Sequence, residues 1–492
     1  MSSFDFTDLR SKAHNASKWS LLTEVIARAI TPVTQLLLAR LLEPQAFGVI
    51  AAVVMVTSFA GMLTDAGFGK FLVQRAVKND NELSEYANVS FWSSLALGLS
   101  LFTIIVLLRE PIALLLGDES LSVVLVVISL GIPLTVCVST QTALFRRALE
   151  FKKLLPIRIG ATLTTFIVTV PLALLGAGYW SLVAGILIST LVTAIAINVV
   201  SPWKPSFFYS FSILRKMFAF SGWSLLESAS IWLSAWVGVF IVANLLGAHE
   251  LGLYRQPITV VTAMFAIITA ATTPVLFSTL SRLQHDSNLF RAFFFNFQFG
   301  VAVFVLPLGV GAFFFRDFLT EVLFGSQWTE AALMFGVWSL STGFMIVFSH
   351  YCSEIYRALG KPKISLISQT IYLSVAIPAL YISALHGFVV LVIASGLLQI
   401  VLATINQILT YIVAGISFPQ VIRNLIPALV AVFAMASIAV WLAPLTRFDW
   451  SLSIAAIVAC AVVYLAVGLC FPRMREYLLT LLSMLRRNGG AP

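Results

Sequence analysis

The sequence predicts an all-α polytopic membrane protein of about fourteen transmembrane helices, two parallel six-helix lobes followed by two more. Three observations lead there. The 492 residues are 60% hydrophobic and only 10% charged, with a mean hydropathy of +0.98, too apolar for a soluble domain. Apolar runs near the length of about 20 residues that a bilayer-spanning helix needs recur from end to end. Only helices satisfy their backbone within each such segment, and the alternating pattern of a barrel is absent. Third, sequence words return 204 positions downstream. Ser17-Lys18-Trp19-Ser20-Leu21-Leu22-Thr23-Glu24 is echoed by Ser221-Gly222-Trp223-Ser224-Leu225-Leu226-Glu227-Ser228, and Leu41-Leu42 and Gly48 by Leu245-Leu246 and Gly252. Shared composition explains recurring Leu and Gly; it does not explain their order.

Taken in order, the spans fall at 19–41, 46–63, 87–108, 120–144, 156–175, 179–200, 219–246, 256–277, 292–315, 330–350, 364–385, 388–414, 424–443 and 451–471. The first follows a polar stretch with Arg10, Lys12 and Lys18 and no small-residue cleavage site, so it is expected to serve as its own insertion signal. The second closes on Asp65-Ala66-Gly67-Phe68-Gly69, whose glycines allow a tight turn or a close helix approach. Pro111–Gly117 is too short to cross and is expected at the interface. The seventh opens on the repeated word. Fainter echoes keep the order: Leu116-Gly117 with Phe324-Gly325, Arg147-Ala148-Leu149 with Arg357-Ala358-Leu359, Gly178-Tyr179 with Gly387-Phe388.

Basic residues test this alternation. On the side that both termini would share lie 24 of the 30 Lys and Arg; the opposite loops hold Arg40, Arg109, Arg255, Arg316 and Arg447, and Arg28 lies inside a span. The bias places both termini in the cytoplasm. Six spans precede the boundary near residue 210, six more run to 414 and two remain. The expected division is therefore 1–210 as an N-lobe, 211–414 as a C-lobe, and 415–492 as two helices with a cytoplasmic tail. Six being even, the copies are parallel repeats.

Polar groups within spans are costly and single out candidates. Glu24 and Arg28 are four apart, Glu first, on one helix face, and Thr31 and Gln35 continue the stripe. Counted from Trp19, Arg28 lies about 13 Å deep at about 1.5 Å per residue. The pair either neutralises itself between packed helices or serves a functional cleft. Glu227, one position from the repeat image of Glu24, has no basic partner on its helix; it titrates, faces water, or bonds a neighbouring Ser. The Arg146-Arg147…Lys152-Lys153…Arg158 cluster serves topology and lipid headgroups, or substrate. Arg255 faces either a cavity or the outer headgroups.

Enzyme signals are absent. His14, His249, His285, His350 and His386 show no metal-ligand spacing, and GxxxxGK[ST], GxSxG and HExxH do not occur. Cys137, Cys352, Cys460 and Cys470 sit in or beside apolar runs, as small core residues do. No metal, cofactor or nucleic acid is expected.

Arg40-Leu41-Leu42-Glu43-Pro44-x-x-Phe47-Gly48, Asp65-Ala66-Gly67-Phe68-Gly69 and Gln74-Arg75 resemble the start of the bacterial polysaccharide transporter (Wzx-type flippase) family. Leu246-Gly247-x-x-x-Leu251-Gly252-Leu253-Tyr254 and Phe145-Arg146-Arg147-x-Leu149-x-Phe151 resemble its branch of colanic acid, teichuronic acid and succinoglycan exporters. The resemblance runs over essentially the whole chain and implies the two-lobed fold of the MATE-like superfamily. It implies translocation of an undecaprenyl-diphosphate-linked oligosaccharide across the inner membrane by alternating access, for exopolysaccharide or another surface glycan. It implies a monomer in the bilayer, with glycan polymerase and export machinery as neighbours. In this superfamily the first helices of the lobes line the central cleft. Arg28, Gln35, Arg255, Arg146 and Arg147 are then the substrate-binding candidates. Glu24 and Glu227 would serve ion coupling or charge balance, and Asp65, Gly67 and Gly69 structure or gating. Two other readings are a cation-coupled drug exporter of the same fold and a membrane glycan polymerase or ligase. The drug exporter would want an acidic cavity, against which the Arg28 pairing argues. The enzyme would want a large outer loop or a carboxylate–histidine cluster, and the chain has neither.

Overall fold

The computed structural model describes residues 32–75, 77, 79–361, 363–445 and 449–488, with side chains at all of these except 219, 220, 223, 224, 227 and 481–488. Glu24, Arg28 and Thr31 lie outside the described residues. Helix is the only regular structure among those described, as apolar segments without water to bond require. A helical stretch at 32–41 (α1) leads into α2 (Pro44–Asp65), α3 (Phe68–Gln74), α4 (Asp80–Leu107), α5 (Arg109–Leu115), α6 (Leu121–Ser129), α7 (Gly131–Arg147), α8 (Phe151–Leu174) and α9 (Tyr179–Val200). Then come α10 (Phe211–Leu245), α11 (Ala248–Leu283), α12 (Ser287–Phe314), α13 (Arg316–Phe324), α14 (Ala332–Met345), α15 (Cys352–Ala358), α16 (Lys363–Leu385), α17 (Phe388–Ala414), α18 (Phe418–Leu445), α19 (Trp450–Leu469) and α20 (Pro472–Asn488).

Among the described residues 13 helical segments are long and apolar enough to cross a membrane. They correspond one to one with the sequence-predicted runs from 46–63 onward; of the first run only 32–41 is described. Several helices outlast their apolar runs because side chains cap them. Asn79 accepts the Glu82 N–H at 2.9 Å and starts α4 at Asp80, seven residues ahead of the apolar run. Asp286 caps α12 through the N–H groups of Asn288 and Leu289, both at 3.0 Å. Asp449 caps α19; the Ser451 hydroxyl and the Leu452 and Ser451 N–H groups hold its carboxyl below the usual carboxylate range. The Pro111–Gly117 stretch lies in and just beyond the short helix α5. The predicted tail contains a helix, α20.

The chain forms two compact units, Met1–Gln256 and Pro257–Pro492. In the first, Ala66, Phe68, Phe71, Leu72, Tyr86, Ala87, Val89, Ala143 and Met217 form a core joining α3 to α4, α7 and α10. Ala66 and Gly67 both take left-handed φ, 44° and 76°, which breaks the second span between α2 and α3. Asn88 and Ser206 exchange two hydrogen bonds of 2.8 Å and fix the loop after α9 to α4. The start of α2 also crosses the start of α11. A Cβ on Gly48 would overlap the carbonyl oxygen of Ala248, and one on Gly252 that of Pro44. Positions 44 and 248, like 48 and 252, stand 204 apart, so the contact is reciprocal between residues at the same sequence offset.

In the second unit, α14 passes through a π-helical turn, Ile346–His350, into α15. That turn leaves carbonyls without their ordinary helical donors, and neighbouring amides supply them. Gln298 on α12 donates to the Val347 carbonyl at 3.0 Å, Gln407 on α17 donates to that of Phe348, and Asn406 donates to the Ser349 hydroxyl at 2.8 Å. At the end of the turn, His350 shares a 3.2 Å hydrogen bond with Thr273, and the following Tyr351 one of 2.8 Å with Thr272.

Candidate functional site

Within the first unit, α1, α2, α10 and the start of α11 meet along a polar seam. Gln256 is 4% exposed, and its amide donates to the backbone carbonyl of Gln35 at 3.3 Å and to the side-chain oxygen of Gln35 at 3.2 Å. An amide buried among apolar helices needs such partners, since an unpaired one costs about 1–3 kcal/mol. Beside it, half-buried Arg255 lays its guanidinium over the Trp236 ring at 4.4 Å. Trp232, one turn before Trp236 and on the same face of α10, donates its indole N–H to Ser58 at 3.0 Å. Its ring leans on Phe59 at 4.7 Å. The seam thus offers a cation, an aromatic face and two amides. A guanidinium suits a phosphate anion, and amides suit hydroxyl-rich groups.

The structure brings Gln35 and Arg255 into this seam. Glu227 falls on α10, five residues before Trp232, with its side chain outside the described atoms. Arg146 is exposed at the end of α7. Arg147 is half-buried and donates at 2.7 Å to the carbonyls of Leu72 and of Arg75 at the end of α3. Lys153 of that cluster pairs locally with Glu150 at 2.8 Å. Asp65 accepts the backbone N–H groups of Gly67 and Gly69 across the α2–α3 break, and a Cβ on Gly69 would lie 3.1 Å from its carboxylate. These three residues shape one turn.

The sequence reading passed over Gln256, Gln298, Asn406 and Gln407. Each is a polar residue in an apolar segment, and that placement alone was the available signal.

A family model described as polysaccharide biosynthesis protein matches residues 37–333. Among curated proteins, the succinoglycan biosynthesis transport protein ExoT of Rhizobium meliloti (strain 1021) is 28% identical over 333 residues, 66% of this chain. That match spans 65% of ExoT's own length. The lipopolysaccharide biosynthesis protein WzxC of Escherichia coli (strain K12) is 23% identical over 446 residues, 87% of this chain and 88% of that protein. Among solved structures, the inward closed lipid II flippase MurJ superposes with a TM-score of 0.74 at 15% identity, covering 92% of this chain and 98% of that one. At that identity the likeness is one of fold.

Proposed function

The chain belongs to the polysaccharide biosynthesis protein family, and from that premise we propose that it moves a polyprenyl-diphosphate-linked oligosaccharide across the bacterial inner membrane. The observation that carries this reading is the polar seam of Gln35, Gln256, Arg255 and Trp236 within an apolar helical unit. A sugar-diphosphate headgroup cannot cross hydrocarbon unaided. It needs fixed cations for the diphosphate and hydrogen-bonding amides for the sugar, while the polyprenyl tail stays in lipid. Arg255 supplies a cation, and in the sequence Gln35 shares a helical spacing with Thr31, Arg28 and Glu24. In this reading Arg28 exchanges Glu24 for the diphosphate, Glu227 balances charge, and both termini face the cytoplasm. The work is transport by alternating access, with no bond made or broken. ExoT, WzxC and MurJ, by their names a transport protein, a lipopolysaccharide biosynthesis protein and a lipid II flippase, support the direction of the reading.

The test is complementation of polysaccharide export, run beside a measurement of membrane abundance. Arg255→Ala and Arg28→Ala are expected to lower export at least about tenfold, the scale of a lost charge-assisted contact of about 1.5–3 kcal/mol, at normal abundance. Lipid-linked oligosaccharide should then accumulate on the cytoplasmic leaflet. Full export by both variants would sink the headgroup assignment.

A further inference from the structure

Only Cys470 and Phe471 separate α19 from α20, so α20 starts where the last span leaves the apolar layer. Contacts within the second unit hold its first two turns there. Arg473 donates to the side-chain oxygens of Asn424 at 2.7 Å and Asn296 at 3.0 Å, and its guanidinium lies over the Phe299 ring at 4.5 Å. Tyr477 meets the same ring edge-on at 6.0 Å, and a Cβ on Gly300 would overlap its hydroxyl. Met474 is buried, and a Cβ on Gly468 would overlap its side chain. These partners fix the depth. Asn424 opens the apolar run 424–443, Asn296 to Gly300 stand four to eight residues inside 292–315, and Gly468 stands three before the end of 451–471. At about 1.5 Å per residue, α20 therefore begins within roughly 12 Å of the edge of the apolar layer. That is the level of the boundary between lipid headgroups and acyl chains.

From Met474 the sequence continues through Leu478, Leu481, Leu482 and Leu485, the spacing of one apolar helix face. Polar residues take the remaining positions: Arg475 and Glu476, both exposed, then Thr480, Ser483, Arg486 and Arg487. Glu476 is the one acid in the helix against four arginines. Arg473 is engaged by Asn296 and Asn424, so Arg475, Arg486 and Arg487 carry the outward charge. Leu479, one turn beyond Arg475, is 55% exposed, a position that suits hydrocarbon better than water. An apolar face, a basic polar face and a depth at the interface are the attributes of a helix that lies in the plane of an anionic membrane. We infer that α20 lies along the bilayer surface, with its leucines in the acyl boundary, and binds anionic phospholipid through Arg475, Arg486 and Arg487. The arginine stems can run along the apolar surface while their heads reach the phosphates. This inference rests on the depth and patterning of α20, not on the transport reading above.

The test uses the full-length protein with its four cysteines replaced by alanine and Leu485→Cys carrying the environment-sensitive fluorophore NBD. It is placed in nanodiscs of phosphatidylcholine with increasing phosphatidylglycerol, and trace lipid bearing a nitroxide on its upper acyl chain serves as quencher. The ratio of quenched to unquenched probe is expected to rise with the phosphatidylglycerol fraction. High salt should suppress that rise, because the charges concerned are exposed. The triple variant Arg475→Gln, Arg486→Gln, Arg487→Gln should weaken it at least about tenfold, given about fivefold for each basic residue at an anionic surface. No quenching in any mixture, as when α20 is covered by protein alone, overturns the inference. So does quenching that ignores phosphatidylglycerol, or a rise that the triple variant retains in full. The salt titration keeps the native arginines, so it decides the matter if the triple variant fails to fold, and a rise undiminished by salt counts against the proposal. No glycan lipid enters the measurement, so a failure of the flippase reading would leave its result standing.

Discussion

Arg147 gives its guanidinium to backbone, and this decides what its loss should look like. With the carbonyls of Leu72 and Arg75 each held at 2.7 Å, the side chain closes the end of α3 and ties it to α7. Arg147→Ala strands one carbonyl in the core and returns the other to water. A loss of about 1–2 kcal/mol of stability is expected, read as a lower melting temperature of the detergent-purified protein. Arg147→Lys should recover part of it, since a lone ammonium reaches two carbonyls less well than a planar fork does. Were Arg147 a substrate contact, as the sequence reading has it, export would fall while the melting temperature stayed put. The sequence made the two basic residues look alike. Composition records that Arg146 and Arg147 are charged and adjacent; it cannot record that a helix end stops within reach of only one. Gln35 was legible because it stands on a stripe with helical spacing. Gln256 was not, because its partner is 221 residues away.

At the scale of elements, most helices were legible and their interruptions were not. An apolar run announces a span by length, but the left-handed pair Ala66 and Gly67 and the π-helical turn at Ile346–His350 are settled by neighbours. Gln298 and Gln407 make that turn tolerable from two other helices, and no local pattern foretells it. The Gly48–Gly252 crossing lies between these cases. Its glycines were visible as a repeated word, while the reason for glycine is the opposing carbonyl of Ala248 or Pro44. Backbone cannot swing aside as a side chain can, so Gly48→Ala and Gly252→Ala should each cost about 1–3 kcal/mol by overpacking. Because both act on one contact, once the helices have been forced apart the second should add little. The yield of monodisperse protein by fluorescence-detected size exclusion is the measurement. Two independent penalties, with the double variant at their sum, would count against one shared crossing.

For the whole molecule, the 13 candidate spans from Pro44 to Leu469 constrain topology even without the N-terminal region. If each crosses once, the turn before Pro44 and the segment after Leu469 must lie on opposite faces of the membrane, because 13 is odd. Arg40 lies just before that turn, whereas Arg473, Arg475, Arg486 and Arg487 follow the last span. The positive-inside rule therefore predicts a cytoplasmic C-terminal segment and an external turn. The N-terminus depends on one further step, the run at 19–41, of which the described part, 32–41, is helical. A crossing there returns Arg10, Lys12 and Lys18 to the cytoplasm and makes fourteen spans, the even number that parallel six-helix repeats plus two helices need. Reporter fusions or impermeant thiol labelling at a cysteine placed before residue 19, in the turn at residue 43 and beyond Leu469 separate the possibilities. Cytoplasmic signals at both ends with an external turn are expected. An external C-terminus would refute the span count, and an external N-terminus with a cytoplasmic C-terminus would remove the first crossing and, with it, the duplication of whole six-helix lobes.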